Sequence, residues 1–150
     1  MTTTSAFRLL RARPWLAGCV LAMATTVARA EVVVIVNLDS PVQALSVRQV
    51  SDFYLGRTRD FPGGHGALIV EQTREARTRE DFYRSLNGMS LKQLNAYWAR
   101  LQFSGEIQPP RVAGDSRAVL NYVRANGAAI GYVDAAVVDA SVRVVLRLKD

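Results

Sequence analysis

Two periods of hydrophobic spacing divide the chain after residue 30 into strands and helices. Glu31 to Asn37 (EVVVIVN) is a β-branched run closed by Asp39-Ser40-Pro41. It is apolar on both faces, which predicts a buried central strand. Ser46 and Gln49 then have the spacing of a capping box, and Val47, Val50 and Phe53 follow at helical spacing up to Gly56. Asp60 to Gly66 is a turn cluster, and Ala67 to Glu71 predicts a second strand. Thr78 is the expected cap of a helix carrying Phe82, Tyr83 and Leu86 and stopping at Asn87-Gly88. Ser90 caps the next helix, whose apolar face holds Leu91, Leu94, Tyr97, Trp98 and Leu101. Ser104-Gly105 ends it, and Pro109-Pro110 prevents continuation. Asp115 or Ser116 opens a further helix with Val119, Leu120 and Val123 inward and Gly127 at its stop. Ala129 to Val133 (AIGYV) predicts a strand. Finally, Val142, Val144, Leu146 and Leu148 alternate with Ser141, Arg143, Val145, Arg147 and Lys149, the period of a half-buried edge strand.

Strands alternating with helices predict an α/β layer fold. No repeat, low-complexity tract or internal linker interrupts residues 31–150, so they read as one domain.

Composition changes the picture at one end. The net charge of +6 suggests a nucleic-acid partner, but Arg8, Arg11, Arg13 and Arg29 lie in the first thirty residues with no acid among them. Beyond Ala30 stand 15 basic and 13 acidic residues, a balance of +2. No basic stripe interleaved with aromatics remains, which excludes the usual nucleic-acid footprint. The same arginines open a three-part export signal. Arg8, Arg11 and Arg13 form a positive region, Pro14 to Val27 is uncharged and mostly apolar, and Ala28-Arg29-Ala30 supplies a cleavage pattern. Residues 1–30 are therefore expected to be a removed signal peptide, with the mature periplasmic chain starting at Glu31. The apolar stretch is shorter than the ~20 residues of a stable membrane span. Leu16-Ala17-Gly18-Cys19 has the letters of a lipoprotein box, but most of the apolar run follows Cys19 rather than preceding it. Anchoring through Cys19 is not expected, and the mature chain then holds no cysteine for a disulfide, thiolate nucleophile or thiolate metal site.

Catalytic chemistry finds little footing. His65 is the single histidine and sits in a glycine-rich turn without a companion ligand. Gly63-Gly64-His65-Gly66 lacks the spacing of a nucleotide loop. Glu80 and Asp81 are adjacent on a predicted helix and diverge, a poor acid–base pair. Tyr97, Trp98 and Phe103 read as core, and exposure of one of these rings would mark a partner surface. No enzyme, cofactor or metal is expected.

Four phrases in order carry a resemblance: Val47 to Gly56 (VRQVSDFYLG), Phe61-Pro62-Gly63-Gly64, Tyr97 to Gly105 (YWARLQFSG) and Ile130-Gly131-Tyr132-Val133. Together they resemble the type 2 periplasmic substrate-binding proteins of phosphate ABC transporters, and more closely their short single-domain relatives. The resemblance implies a single three-layer α/β lobe, with a mixed, mostly parallel sheet flanked by helices. Whole members have two lobes and hold an oxyanion between them on backbone N–H groups and hydroxyls at helix N-termini. Their phosphate motif, Arg-Ser-x-Gly-Ser-Gly-Thr, falls on Gln72 to Thr78. Thr78 is kept and Thr73 substitutes a hydroxyl. Gln72, Glu75, Ala76 and Arg77 replace the remaining defined positions.

Thr73, Arg74, Arg77, Thr78 and Arg79 are thus the candidate anion ligands, since a guanidinium presents a planar fork of donors to an oxyanion. Arg57 and Arg59 are candidates to add charge to that site. The competing reading is a solvated helix face, with Glu71, Glu75, Glu80 and Asp81 neutralising the arginines. The expected function is a non-catalytic periplasmic solute-binding domain that takes inorganic phosphate or another small oxyanion. The alternative is an interaction or sensory module for an envelope protein that has lost anion binding.

Overall fold

The computed structural model describes residues 30–105 and 107–149. The export-signal and Cys19 readings rest on residues 1–29 and lie outside the described residues.

The strands are β1 (Val32–Asn37), β2 (Leu68–Gln72), β3 (Arg111–Gly114), β4 (Ala129–Asp134) and β5 (Val142–Arg147). They form one sheet in the order β3-β2-β4-β1-β5. β2 pairs parallel with β3 and β4, and β1 pairs antiparallel with β4 and β5. Four strands therefore point one way and β1 points the other, a mixed sheet. Helices α1 (Val47–Tyr54), α2 (Arg77–Asn87) and α3 (Leu91–Phe103) supply one layer, and α4 (Ser116–Ala125) supplies the other.

β1 is the spine because both of its faces are apolar. Val32, Val34 and Val36 pack under α1, α2 and α3, while Val33 and Ile35 pack under α4. A fully buried valine or isoleucine contributes about 1.5–3 kcal/mol, so one short strand ties both layers together. β4 repeats the pattern with a space-saving residue. Gly131 faces α4, where an added Cβ would lie 2.4 Å from Val119 Cγ1. The glycine lets α4 sit directly on the sheet.

Three sequence expectations are corrected. Thr78 is not the cap of α2: the helix begins at Arg77, Ala76 is the N-cap, and Thr78 is the second helical residue. Starting there turns Arg79 inward to its buried partner Glu71. The strict alternation of the last strand also fails. The pairing with β1 slips between Val34 and Ile35, leaving Val145 as an extra residue. The bulge reverses the phase, so Val142 and Val144 join the α4 side while Leu146 and Leu148 join the other. The bulged carbonyl of Val145 is taken by the Leu45 amide at 3.0 Å. Finally, Phe103 is 96% exposed rather than core. It stands about 180° around α3 from the inward Leu94. β3, too short at four residues to show a period in the sequence, lies on the sheet edge behind Pro109-Pro110.

Candidate functional site

β2, β3 and β4 end at one edge of the sheet, and a new segment starts from each end. Gln72 leads through Thr73 into α2, Gly114 leads into α4, and Asp134 leads into a short 3-10 turn (Ala135–Val137). In open α/β sheets this carboxyl edge is where ligands meet loops and helix N-termini.

Local hydrogen bonds fix the edge. The Thr73 amide donates to the Gly114 carbonyl at 2.9 Å, tying the two loops together. Gln72 is fully buried, and its Nε2 donates to Ser116 Oγ at 2.9 Å and to the Tyr132 carbonyl at 3.0 Å. Ser116 Oγ in turn accepts from the Asp134 amide at 3.0 Å. One side chain thus holds the ends of β2, β4 and α4 in register. In the motif comparison Gln72 stands where an arginine is expected. Here it is a structural clamp, a role that sequence spacing alone does not disclose.

The helix ends at this edge differ. Asp115 caps α4, its Oδ1 accepting from the Ala118 amide at 2.9 Å. α1 and α3 also have side-chain caps, with complete capping boxes at Ser46 and Ser90. α2 has none. Its preceding turn engages the Ala76 amide on the Thr73 carbonyl and the Arg79 amide on the Ala76 carbonyl, both at 3.1 Å. The first amides of any helix, here those of Arg77 and Thr78, have no intrahelical partner.

The five candidate residues separate into two groups. Arg74 and Arg77 are exposed and Thr73 and Thr78 half-buried around this helix start. Arg77 lies 3.9 Å from Asp81, a loose i,i+4 pair with the guanidinium mostly in solvent. Arg79 is different. It is buried, its Nε donates to Glu71 Oε1 at 3.0 Å, and its guanidinium lies 5.6 Å from the Tyr83 ring centroid. Glu71 Oε1 also accepts from the Tyr132 hydroxyl at 3.3 Å. Beneath the pair lies an aromatic block in which Phe82 stacks on Tyr132 at 3.7 Å, with the Tyr54 ring edge-on to both. Burial, with the Glu71 carboxylate as a second cause, pushes the hydroxyls of Tyr54, Tyr83 and Tyr132 well above the ordinary tyrosine range.

Arg57 and Arg59 are not brought to this edge. Arg57 pairs with Asp52 at 3.2 Å, and Arg59 donates to the Gln108 carbonyl at 3.1 Å. The Arg59 carbonyl accepts from Ala67, just before β2, at the end of that strand opposite Thr73. Among the described residues no group of three or more His, Cys, Asp or Glu could hold a metal ion. Glu80 is engaged by Arg84, and Asp81 faces Arg77.

Solved structures of phosphate transport proteins superpose on this arrangement over 77% of the chain. This chain has the fold of a phosphate-binding-protein lobe. It is similar to a protein from Clostridium perfringens, described as a phosphate ABC transporter substrate-binding protein and solved with bound phosphate. The TM-score is 0.62 at 22% identity, over 77% of this chain and 44% of that one. An ABC-type phosphate transport receptor from Vibrio cholerae matches with a TM-score of 0.61 at 18% identity, over 77% and 45% of the two chains. PstS from Borrelia burgdorferi matches at 0.58 and 10% identity, over 77% and 46%. The chain spans less than half the length of these solved proteins. At these identities the likeness to a phosphate-binding-protein lobe is one of fold. No family model and no curated protein matches the sequence.

Proposed function

We propose that this chain is an exported, non-catalytic solute-binding domain that recognises a small oxyanion, such as inorganic phosphate, at the start of α2. The observation that carries this reading is the uncapped N-terminus of α2 at the carboxyl edge of the sheet. Its first amides face the end where the helix dipole favours negative charge, and Arg74 and Arg77 stand exposed beside them. Thr73 and Thr78 supply hydroxyls. Arg79 contributes only at longer range from beneath, because its charge is largely offset by Glu71. The ligand of the Clostridium perfringens protein supports phosphate as the first anion to try.

The proposed binding is weak. With the anion on one open surface its outer oxygens stay hydrated, and salt screens the attraction. A dissociation constant of about 1 mM corresponds to only ~4 kcal/mol. Calorimetry of the folded chain with phosphate and with sulfate tests the reading. Saturable heat that falls in Arg77→Ala is expected, and no heat with either ion would remove it. Export belongs to the same proposal: residues 1–30 are cleaved and the domain works in the periplasm from Glu31, without a lipid anchor on Cys19. Sequencing the N-terminus of exported protein checks this.

Phe103 favours a second reading, an interaction module for an envelope protein. It is an almost fully exposed ring at the end of α3, where an isolated chain gains nothing from it. Under this reading Phe103→Ser leaves stability unchanged and weakens partner capture.

A further inference from the structure

The first half of β2 lacks a strand on one side. Leu68 and Ile69 pair with Ala129 and Ile130 of β4, but β3 joins the opposite side only from Val70 onward. Ahead of β3 run Pro109 and Pro110, which have no N–H to offer a strand edge. The gap opens into a cavity of about 530 Å³, walled also by the turn after α1 and by Tyr122 of α4. That volume falls within the ~300–1,000 Å³ typical of organic ligand sites. Leu68 lies in it with 47% of its surface exposed, an apolar face that a ligand would remove from water. The cavity is at the end of β2 opposite Thr73 and shares no residue with the start of α2.

Charge restricts the occupant. Arg59 and Arg111 stand on the walls, and no carboxylate does among the described residues, so the lining carries a net charge of +2. Arg59 sits in the turn after α1, and its Nη2 donates to the Gln108 carbonyl at 3.1 Å. Arg111 opens β3, its guanidinium 5.5 Å from the Tyr122 ring centroid. These contacts orient each guanidinium without neutralising it. Both arginines are exposed, so their remaining donors stay accessible. An inorganic ion would leave the apolar wall of Leu68, Ile69, Pro109 and Pro110 unused, and a neutral apolar molecule would leave both charges without a complement. We propose that this cavity binds an organic dicarboxylate with a flat apolar spacer. One carboxylate lies on Arg59, the other on Arg111, and the spacer covers Leu68 and the two prolines. Guanidinium forks held from two different elements suit two separate carboxylates better than one compact ion. The site does not depend on the oxyanion reading.

The test is an NMR titration of the folded full chain with isophthalate, read at the Leu68 methyl signals. Leu68→Met assigns those signals by removing them. Isophthalamide is the neutral isostere, and benzoate keeps the ring with a single charge. The expected result is saturable movement with isophthalate that is absent with isophthalamide. Benzoate with the native chain, and isophthalate with Arg59→Gln or Arg111→Gln, should each require about tenfold more ligand. Equal movement with isophthalamide would overturn the proposal, because charge is then not read. So would benzoate binding as tightly as isophthalate, titration curves that are the same in either arginine variant, or methyls that stay still at tens of millimolar isophthalate. Phosphate in a parallel titration keeps the two sites apart. Movement of the Thr78 amide with phosphate, while the Leu68 methyls ignore isophthalate, would sink the dicarboxylate site and leave the oxyanion site standing.

Discussion

Glu71 and Arg79 show how strongly a single contact can redirect a residue. An arginine next to threonines at a helix start reads as an anion ligand, yet Arg79 points inward and meets a buried carboxylate from the preceding strand. Sequence spacing names the acids available to the arginines. It cannot say that Glu71, eight residues back on a strand, takes Arg79, because that pairing depends on how α2 docks on the sheet. The i,i+4 pairs Arg77–Asp81 and Arg84–Glu80 have helical spacing and were legible. Glu71→Ala leaves a buried guanidinium without its carboxylate and is expected to cost about 3–5 kcal/mol in urea denaturation. Adding Arg79→Met to Glu71→Ala should recover part of that loss. Additive losses in the double variant would show that the two side chains act independently.

The three buried tyrosines make a second prediction at this scale. Their folded hydroxyls titrate well above the ordinary value, while the unfolded chain titrates near it. Below pH ~10 both states stay protonated, so this term is fully present. Above it the unfolded state loses protons that the folded state keeps, and stability falls as pH rises. Phenolate absorbance of these residues should therefore appear together with loss of far-UV circular dichroism, not before it.

Among the elements, those with local chemistry were readable. Capping boxes at Ser46 and Ser90 and the cap at Asp115 mark three helix starts, and the β-branched run marks β1. What escaped the sequence reading depends on tertiary pairing: the four-residue β3, the bulge at Val145, and the start of α2 two residues early. None of these has a periodic signal long enough to read. Ala76 offers a direct probe of α2. Ala76→Asp supplies the missing cap and is expected to stabilise the chain by about 1 kcal/mol. Under the oxyanion reading it also occupies the helix start and repels the anion, so it should raise the melting temperature while abolishing phosphate heat. The α4 layer is tested by Gly131→Ala, whose Cβ meets Val119 and Val123. Overpacking of this kind costs about 1–3 kcal/mol, read as a lower denaturation midpoint at constant slope.

At the scale of the whole molecule, the sheet presents a carboxyl edge with one helix start left uncapped, and the chain matches less than half of each of the three solved phosphate-transport proteins described above. The fold class was legible because alternating strands and helices, with four phrases in order, limit the possible architectures. The site was legible only as a stretch, not as a geometry. Gln72 clamps rather than binds, Arg79 is half spent on Glu71, and Arg57 and Arg59 lie at the far end of β2. The proposed recognition surface is then Thr73, Arg74, Arg77 and Thr78, with Arg79 beneath it. An amide-shift titration of the folded chain with inorganic phosphate tests it most directly. The account predicts that the Arg77 and Thr78 amides move most and saturate at millimolar ligand, with the capped starts of α1, α3 and α4 unmoved. Stationary Arg77 and Thr78 amides, or movement shared equally by all four helix starts, would contradict it.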